Sequence, residues 1–515
     1  MTCARIVSWS EPWSEPWSNR SAAPPLGCFW TAEQVRDLDA QAIAGGISGY
    51  ELMQRAGLSA WCYLKARWPQ VKRLILWLGS GNNAGDGLVL ARWAHSAGVA
   101  VVLLQVGVPK YSGTAAQVWR EACALGLSPT QWQGEALTGM PDDGSTIQVD
   151  ALLGTGVHGA PALVFTQAIA AINAAALPVL ALDIPTGIHP DSGGLTGSLA
   201  VQAAATVSFV GAKRGLYTGA GGHYAGVVQV DTLDVPSDLQ RRALCRTLDM
   251  QPPPLPQRPL DAHKGNFGHV LVLGGQQGMS GATLLAARAA ARAGAGWVSV
   301  GSQGLTIQAL QVACPEIMAR TLDFASDGAE VLESLLERAT LVVLGPGLGR
   351  SPWSVQLFAQ SMAYLRRTAK PVVLDADALY WWRQQSDTLA EAIFTPHPGE
   401  AAMLLGTTAV QVQADRFLAV EQLVQLTKAT VVLKGNGTLV SAPTAPVYLC
   451  RAGNPGMASA GMGDVLAGLT GGVWAQQADA LSAACRGVHL HAATADALWV
   501  AGRRTILASD LVNAL

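Results

Sequence analysis

Short, continuous runs of apolar and β-branched residues alternate along this chain with longer alanine-rich segments, and this alternation limits the possible folds. Parallel sheets covered by helices on both faces bury their strands completely, so such strands are apolar throughout. The pattern therefore predicts an α/β fold built on parallel sheets. The predicted strands are Arg73–Leu78, Val99–Val106, Thr146–Leu152, Pro178–Asp183, Thr206–Val210, Val227–Val230, His269–Leu273, Trp297–Val300, Thr340–Leu344, Pro371–Leu374 and Thr430–Leu433, and two of the predicted helices are Leu88–Ala97 and Thr283–Ala293.

A proline-rich segment divides the chain. Gln251–Pro259 holds five prolines and fits an extended linker better than a helix or a central strand. We expect domains over residues 29–240 and 261–515, joined by a linker over 241–260. Residues 1–28 contain a Trp-Ser-Glu-Pro repeat without the apolar core of a signal peptide, and we interpret them as a low-complexity extension or as the result of a misassigned start codon.

Composition excludes several classes of protein. Half of the residues are hydrophobic and 14% are charged, which supports large buried cores. No run of Lys and Arg indicates nucleic-acid binding, and no apolar stretch of 18 or more residues predicts a membrane helix. The eight cysteines are scattered without a Cys-x-x-Cys pair, so we expect reduced thiols in a cytoplasmic protein.

The glycine-rich segment Gly79–Gly87 follows the first predicted strand and precedes a predicted helix. Such a turn presents backbone N–H groups and the positive end of the helix to an anion. It is not a P-loop, because no Gly-Lys-Ser/Thr follows, and the next strand lacks the acid of a standard dinucleotide site. The oxygens of Asn82, Asn83 and Asp86 suit a hard cation or a polar ligand, and a glycine turn with solvated asparagines is the alternative.

Two further predicted strands of the first half end in an acid that small residues follow. Asp150 precedes a loop that contains Gly154–Ala160, and Asp183 precedes Ile184–Ile188. In parallel sheets, ligands bind at the carboxyl ends of the strands. Three such ends on one sheet can therefore form one site.

These three segments, together with the opening segment Thr31–Gly57, resemble the NAD(P)H-hydrate epimerase family over about residues 29–235. The resemblance implies a Rossmann-like, three-layer domain in which Asn83, Asp150 and Thr186 hold K⁺ and Asp183 is the acid–base residue. A carboxylate at a buried strand end can be tuned for that role. The residues implied to contact the hydrated cofactor are Asn82, Asn83, Ala84, Gly85, Asp86, Gly154, Thr155, Gly156, Val157, His158, Gly159, Ala160 and Asp183.

The second half repeats the arrangement of strand, glycine turn and helix. In Asn454–Asp464 a glycine-rich turn opens a helix, which suits a transferring phosphoryl group, and the terminal acid is placed to activate a hydroxyl. Lys434 and its loop suit a nucleotide, and His397 lies between two prolines. For Asp375 and Asp377 two interpretations stay open, namely contact with a magnesium-associated water and helix capping.

These segments resemble the ribokinase-like superfamily and, within it, the ADP- or ATP-dependent NAD(P)H-hydrate dehydratases, over about residues 258–515. The resemblance implies a ribokinase-like α/β/α domain that uses ADP or ATP with Mg²⁺. Ala460 and Tyr380 depart from the family pattern, but neither removes a charged group, so we expect activity to survive. The residues implied to bind the nucleotide are Lys434, Gly435, Asn436, Gly437, Thr438 and Gly463, and those implied to contact the hydrated nicotinamide are Ala282, Gly347, Gly349, His397 and Asp464.

The two resemblances imply one repair enzyme for hydrated NADH and NADPH (NADHX and NADPHX). Hydroxide is a poor leaving group, so phosphorylating the C6 hydroxyl, with Asp464 as base, would permit dehydration of one epimer, and the epimerase would supply that epimer from the other. We expect a homo-oligomer with no nucleic-acid or membrane partner. The alternative is a ribokinase-like small-molecule kinase with a non-catalytic N-terminal binding module. A plain dehydrogenase is disfavoured by the missing ribose-binding acid.

Overall fold

The computed structural model describes residues 27–137, 145–156, 159–242, 245–252, 257–386, 388–476 and 479–515. The chain forms two compact units, Met1–Leu248 and Asp249–Leu515. Most of the predicted N-terminal extension and residues 253–256 of the proline-rich segment lie outside the described residues. None of the helices in the described ranges combines the length and apolarity needed to traverse a lipid bilayer.

The first unit contains a parallel sheet with helices on both faces. The strands of that sheet are β2 (Arg73–Leu78), β3 (Ala100–Gln105), β4 (Thr130–Gln131), β5 (Thr146–Ala151), β6 (Val179–Leu182), β7 (Ala205–Phe209) and β8 (Val227–Asp231). Strand β1 (Cys28–Phe29) precedes them outside this sheet, and β9 (Thr247–Asp249) lies where the two units meet along the chain. The helices of the first unit are α1 (Ala32–Ala44), α2 (Gly49–Arg67), α3 (Asn82–Ser96), α4 (Gly113–Ala124), α5 (Leu163–Ala174), α6 (Gly221–Tyr224) and α7 (Ser237–Arg242).

The sheet of the first unit has the strand order β4-β3-β2-β5-β6-β7-β8, and every adjacent pair is parallel. The apolar strand residues that the sequence indicated fill a core on each face. Leu74 and Leu76 pack on the side of α2 and α3, whereas Ile75 and Trp77 pack with α5 on the other side. Because β2, β5 and β6 are neighbours, their carboxyl ends share one edge of the sheet.

The second unit also has a central sheet with covering helices. Its strands are β10 (His269–Leu273), β11 (Trp297–Ser302), β12 (Met318–Thr321), β13 (Leu341–Leu344), β14 (Val372–Leu374), β15 (Ala392–Phe394), β16 (Thr430–Leu433), β17 (Thr438–Ser441) and β18 (Val447–Cys450). Its helices are α8 (Ser280–Arg292), α9 (Gly304–Ala313), α10 (Gly328–Arg338), α11 (Pro352–Thr368), α12 (Asp377–Gln385), α13 (Pro398–Leu405), α14 (Ala409–Ala414), α15 (Arg416–Thr427), α16 (Met462–Trp474), α17 (Ala480–Val500) and α18 (Ala508–Ala514).

Strands of the second unit follow the order β18-β17-β16-β15-β14-β13-β10-β11-β12. The pairs from β12 to β16 are parallel, and β17 and β18 continue the sheet antiparallel. Helices α8, α16 and α17 cover one face with alanine, valine and leucine side chains. The strand order changes direction between β10 and β13, which is where ligands bind in open α/β sheets.

Two helix starts and the predicted linker differ between the structure and the predicted elements. Helix α3 begins at Asn82 instead of Leu88, and α8 begins at Ser280 instead of Thr283. The predicted linker contains a short strand, Thr247–Asp249, directly before the prolines. The glycines of α3 were taken for a loop, but Gly85 and Gly87 permit close packing, since a Cβ there would lie 2.6 Å from Met53 Sδ and 2.7 Å from Ala151 Cβ.

Candidate active sites

The first candidate site lies at the carboxyl edge shared by β2, β5 and β6. Asp150 is fully buried, and its carboxylate accepts hydrogen bonds from Thr186 Oγ1 and Thr186 N, both at 2.8 Å, and from Leu152 N at 3.2 Å. Burial raises the pKa of Asp150 to about 6, and the hydrogen bonds from Thr186 and Leu152 oppose that rise. The loop after β5 is thus tied to the loop after β6.

Asn83, in the first turn of α3, has a buried side chain that is 6% exposed. Among the described residues, neither its Oδ1 nor its Nδ2 has a hydrogen-bond partner. A Cβ on Gly154 would lie 3.3 Å from Asn83 Cβ and 3.7 Å from Asp183 Oδ2, so these residues surround one point. A buried amide without partners is costly and indicates a ligand group that the chain itself does not supply.

Asp183 directly follows β6 with a φ of 65°, a left-handed conformation that is rare for a residue other than glycine. Its Oδ1 accepts a very short hydrogen bond from Lys213 Nζ, and Lys213 Nζ also donates to Phe209 O at 2.7 Å. The Lys213 side chain is 1% exposed and that of Asp183 is 15% exposed. Val210, after β7, has a φ of 66°, so two strained residues flank the Asp183–Lys213 contact.

Two more carboxylates interact with this pair. Burial raises the pKa of Asp39 to about 6, Lys213 opposes the rise, and Asp183 adds to it. Burial, Asp183 and Asp39 together raise the pKa of Asp86 well above its ordinary value, again against Lys213. Asp39, Asp86, Asp183 and Lys213 therefore form one cluster, here named the first acid cluster, in which carboxyl groups can hold protons near neutral pH.

The remaining predicted residues of the first site differ in exposure. Asn82 is exposed, Ala84 and Gly85 are buried within α3, and Gly159 and Ala160 are exposed. Thr155 O accepts a hydrogen bond from Arg36 at 3.5 Å. A small cavity of about 10 Å³, room for one water-sized group, lies between Gly154 and Thr186. The predicted residues Val157 and His158 lie outside the described residues, and Gly156 next to them is exposed.

The second candidate site is organised around Lys434, which follows β16. Lys434 Nζ lies 2.8 Å from Asp375 Oδ1 and 3.7 Å from Glu400 Oε2. Burial by itself would lower the pKa of Lys434, but Asp375, Glu400 and Asp464 raise it above its ordinary value. We name Asp375, Glu400, Asp464 and Lys434 the second acid cluster.

Asp464 lies in the first turn of α16, whose cap residue is Gly461 with a φ of 87°. A Cβ on Gly461 would lie 4.0 Å from Asp464 Oδ2, and a Cβ on Gly463 would lie 3.3 Å from Lys434 Nζ. Burial, Asp375 and Glu400 raise the pKa of Asp464 to about 7, and Lys434 opposes them. The first-turn amides of α16 and this carboxyl group thus share one surface with the Lys434 ammonium.

His397 and Glu400 form the N-terminal cap of α13. His397 Nδ1 accepts hydrogen bonds from Gly399 N at 3.0 Å and Glu400 N at 3.2 Å, and Glu400 Oε2 accepts one from His397 N at 2.8 Å. His397 Nε2 lies 3.4 Å from Glu400 Oε1. The His397 side chain is 56% exposed, so its free edge faces solvent at the mouth of the site.

The two acids after β14 have protein partners. Asp375 is buried and accepts hydrogen bonds from Thr395 Oγ1 at 2.7 Å and Lys434 Nζ at 2.8 Å. Asp377 accepts one from Gly349 N at 3.1 Å and pairs with Arg350 Nε at 3.2 Å. The proposed helix-capping role was wrong for both, because no side chain caps α12.

The other predicted residues of the second site lie in glycine turns. A Cβ on Gly347 would lie 3.1 Å from Ala282 Cβ, and one on Gly349 would lie 2.5 Å from Gln276 Oε1, so both turns are closely packed. The buried guanidinium of Arg416 fixes the start of the loop Lys434–Thr438, because it donates hydrogen bonds to Leu433 O at 3.1 Å and Lys434 O at 3.2 Å. Thr438 Oγ1 donates to Gly435 O at 3.0 Å, and Asn436 lies on the exposed side of the loop.

Several residues in these sites had no predicted role. The residues without a predicted role are Lys213, Asp39, Glu400 and Arg416. Asp39 lies in the opening segment Thr31–Gly57, and Glu400 follows His397 by three residues, so both were close to features that the sequence singled out. Lys213 and Arg416 gave little indication, because an isolated basic residue beside an apolar segment is normally solvated. Their burial is a consequence of tertiary packing.

Two residues of the second unit, Ala460 and Tyr380, depart from the family pattern. Ala460 is exposed and precedes the cap of α16. The Tyr380 ring packs under the guanidinium of Arg350 at 3.8 Å and against Trp381. Neither residue displaces a member of the second acid cluster.

Comparisons with known proteins agree with this division into two sites. Residues 270–515 match the family model described as NAD(P)H-hydrate dehydratase, and residues 49–215 match that of the YjeF-related protein N-terminus. The bifunctional NAD(P)H-hydrate repair enzyme Nnr of Coxiella burnetii is 43% identical over 93% of this chain and 96% of its own, and that of Escherichia coli is 36% identical over 94% and 93%. The Bacillus subtilis ADP/ATP-dependent NAD(P)H-hydrate dehydratase, a solved structure, is 30% identical with a TM-score of 0.45, and the match covers 50% of this chain and 91% of that chain.

Proposed function

The chain belongs to the family of bifunctional NAD(P)H-hydrate repair enzymes, and on that premise we propose which residues of its two sites perform the two reactions. It has an NAD(P)H-hydrate epimerase in its first half and an ATP/ADP-dependent NAD(P)H-hydrate dehydratase in its second. We assign the domains to residues 29–240 and 261–515, with the linker over 241–260. The change of compact unit at residue 248 supports that assignment.

Asp464 is the base of the dehydratase. It takes the proton of the C6 hydroxyl while that oxygen attacks the terminal phosphoryl group of the nucleotide. The observation that carries this proposal is the position of Asp464 in the first turn of α16, with a pKa raised to about 7 by burial, Asp375 and Glu400. A base with a pKa near the working pH transfers protons most effectively. The amides at the start of α16, including Gly463, stabilise the charge on the transferring group.

Lys434 and Gly435–Thr438 form the nucleotide-binding loop. The buried Arg416 supports that role, since its hydrogen bonds to backbone carbonyls fix the loop in one shape. A Cβ on Gly463, in the first turn of α16, would lie 3.3 Å from Lys434 Nζ. We therefore assign Lys434 a position beside the transferring phosphoryl group. Ala282, Gly347, Gly349 and His397 contact the hydrated nicotinamide.

Asp183 is the acid–base residue of the epimerase. Changing the configuration at C6 requires a bond at that carbon to break and re-form, with a proton added and another removed. Asp183 has Lys213 on one oxygen, while its Oδ2 faces Gly154, and this arrangement supports a substrate contact there. Asp86, whose pKa burial raises well above its ordinary value, is suited to hold the exchanging proton. The loop residues Asn82–Asp86 and Gly154–Ala160 surround the substrate.

Asn83, Asp150 and Thr186 would hold the potassium ion of the epimerase domain. The partnerless Asn83 Oδ1 fits an oxygen-binding cation, and Asp150 and Thr186 add two more oxygens at the same edge of the sheet. When bound, the cation would supply positive charge beside the anionic groups of the substrate. The geometry is thus consistent with a hard cation.

Magnesium lacks a comparable set of ligands among the described residues. Among the described residues, no group of three His, Cys, Asp or Glu side chains forms a metal site, and Asp375 and Asp377 are occupied by Lys434, Thr395, Gly349 and Arg350. These two carboxylates do not fit as direct ligands of Mg²⁺. We therefore assign no residue to magnesium.

We also propose a cytoplasmic homo-oligomer. Cys314, Cys450 and Cys485 are buried thiols, which is typical of a reducing compartment. Light scattering of the purified chain tests the assembly state.

The dehydratase proposal is tested by single-turnover transfer from labelled ATP to the hydrate. Wild-type protein should release free phosphate together with the reduced cofactor, and Asp464→Asn should lose about 100-fold or more in rate while nucleotide binding persists. Retained turnover in Asp464→Asn would contradict the role of Asp464. Release of a stable phosphorylated product from the wild-type protein would favour the small-molecule kinase.

A further inference from the structure

During dehydration the hydrate loses two protons, one from the C6 hydroxyl and one from C5, and Asp464 accounts for the first of them. Restoring the dihydronicotinamide ring removes the hydroxyl from C6 and a hydrogen from C5. Once Asp464 has taken the hydroxyl proton, it is a carboxylic acid, and the phosphate that departs from C6 is the natural acceptor of that proton. The C5 proton needs an acceptor as well, and a second carboxylate beside Asp464 can take it while Asp464 protonates the departing phosphate.

We propose that Glu400 is the catalytic residue that removes the C5 proton, a role that rests on the proposed phosphoryl transfer. In the first step the C6 oxygen forms a bond to the terminal phosphorus, its proton passes to Asp464, and the nucleotide leaves with one phosphoryl group less. In the second step the N1 electron pair expels phosphate from C6, the proton held by Asp464 passes to the departing phosphate, and the N1=C6 iminium forms. Glu400 then takes the C5 proton, the C5–H electrons form C5=C6, and the iminium electrons return to N1.

The second acid cluster offers two carboxylates that a substrate can reach. The Asp375 side chain is 2% exposed, and its partners are Thr395 and Lys434, so Asp375 is a positioning residue. Glu400 is 17% exposed and lies 3.7 Å from Lys434 Nζ, while Asp464 interacts electrostatically with both. Lys434 therefore lies among the three carboxylates, and the two accessible ones match the two protons that the hydrate loses.

His397 is the other titratable group at this position, and its hydrogen bonds exclude it as the base. Its Nδ1 accepts from two backbone amides, Gly399 N and Glu400 N, so the proton of the neutral ring lies on Nε2. Nε2 then faces Glu400 Oε1 as a donor at 3.4 Å. His397 orients the Glu400 carboxylate, and the hydrogen bond from His397 N to Oε2 fixes it further.

The cluster also makes Glu400 a suitable proton acceptor. Burial and Asp375 raise the pKa of Glu400 above its ordinary value, whereas Lys434 and His397 oppose that rise. A more basic carboxylate removes a proton from carbon more readily. The iminium formed in the second step strongly acidifies C5, which brings the transfer within reach of a carboxylate.

The experiment compares Glu400→Gln with wild type in the full-length chain, by rapid quench with labelled ATP and the dehydratable epimer. We expect phosphoryl transfer within a few-fold of wild type, a fall of about 100-fold in formation of the reduced cofactor, and accumulation of the phosphorylated hydrate. The amide oxygen of Gln can still accept from His397 N, which preserves the cap of α13. Glu400→Asp should restore part of the second step, and Glu421→Gln, an exposed change in the same unit, should alter neither step.

Deuterium at C5 provides a second readout that a structural role would not change. In Glu400→Asp the second step should become slower with the deuterated substrate, while phosphoryl transfer stays unchanged. Equal loss of both steps in Glu400→Gln would overturn the proposal and leave Glu400 as a positioning residue, and undiminished elimination would assign the proton to the departing phosphate. Failure of the proposed function is distinguishable, because Asp464→Asn would then still transfer the phosphoryl group.

Discussion

Two lysines, one in each unit, place a buried ammonium among carboxylates. Lys213 contacts Asp183 beside Asp39 and Asp86, and Lys434 contacts Asp375 beside Glu400 and Asp464. In each cluster one carboxyl group contacts the ammonium directly, while at least one other has a raised pKa. Each site therefore contains a carboxylate acceptor and a group that can hold a proton, which acid–base chemistry requires.

Lys213→Met tests the first cluster. The change leaves the Asp183 carboxylate without its buried partner, so we expect about 3–5 kcal/mol of lost stability in the first unit and loss of epimerase activity. Chemical denaturation and an epimerisation assay measure the two effects. Lys110→Met, at an exposed lysine of the same unit, is the matched control and should change neither. Unaltered epimerisation in Lys213→Met would show that the ammonium has no part in the reaction.

The pH dependence of phosphoryl transfer tests the second cluster. Because Asp464 must be ionised to act as a base and its pKa is about 7, the rate should rise with pH through that value. Glu400→Gln removes a neighbouring negative charge, so the rising limb should move to lower pH. Rapid-quench rates between pH 5 and pH 9 measure it. If the pH midpoint of the phosphoryl-transfer rate is the same in Glu400→Gln and wild type, Glu400 and Asp464 do not interact.

Ionised Asp464 lowers the stability of the folded second unit. Its pKa is about 7 when folded and about 3.8 when unfolded, so the folded state binds the proton more tightly. Protonated Asp464 therefore stabilises the folded state relative to the ionised form. This stabilisation is complete below pH 4 and is lost as pH rises through 7. Asp464→Asn should therefore raise the free energy of unfolding by about 2 kcal/mol at pH 8, with the difference vanishing near pH 4. Calorimetry at both values checks this, and equal melting temperatures at pH 8 would refute it.

At the scale of single residues, the sequence singled out Lys434 and the acids that end strands or open a helix, but not the basic residues Lys213 and Arg416. Asp150, Asp183 and Asp464 end strands or open a helix, and that position marks a site in a parallel sheet. Lys213 and Arg416 follow no such rule, because their neighbours in the chain do not reveal that they are buried. The potassium and nucleotide contacts stay predictions.

At the scale of elements, the parallel strands were predicted well because burial on both faces gives a continuous apolar run. Strands β2, β10 and β16 have the predicted limits. Strands β15, β17 and β18 were not predicted, because they have three or four residues and little sequence contrast with their surroundings. The beginning of α3 was not predicted because close packing against α2 and β5 selects glycines that also suit a loop.

The same close packing joins α16 to α8 in the second unit. A Cβ on Gly468 would collide with the carbonyl oxygen of Ala286, whereas Gly281, in α8, has open space around its Cβ position. We expect Gly468→Ala to cost about 1–3 kcal/mol by separating the helices, and Gly281→Ala to be neutral or stabilising by up to about 1 kcal/mol. Thermal unfolding of both variants measures the difference. Equal stability would contradict the packing described for this pair.

At the scale of the whole molecule, the proline-rich segment predicted two domains, and the chain forms two compact units that divide next to it. Each unit has its acid cluster at the carboxyl edge of its own sheet. The two reactions can therefore be removed independently, which is the central claim of this account. Substitutions of Asp183 and Asp464 are best suited to remove one reaction at a time. Neither side chain is part of a hydrophobic core, so we expect each unit to keep its fold.

The most direct test follows the reduced-cofactor absorbance that the full-length protein regains from an equal mixture of the two C6 epimers with ATP. Wild type should recover all of it, Asp183→Asn only about half within a time that is short compared with spontaneous epimerisation, and Asp464→Asn almost none. A mixture of the two variants should restore full recovery. Complete recovery by Asp183→Asn at the wild-type rate, or any substantial recovery by Asp464→Asn, would contradict the assignment of the two reactions to these two carboxylates.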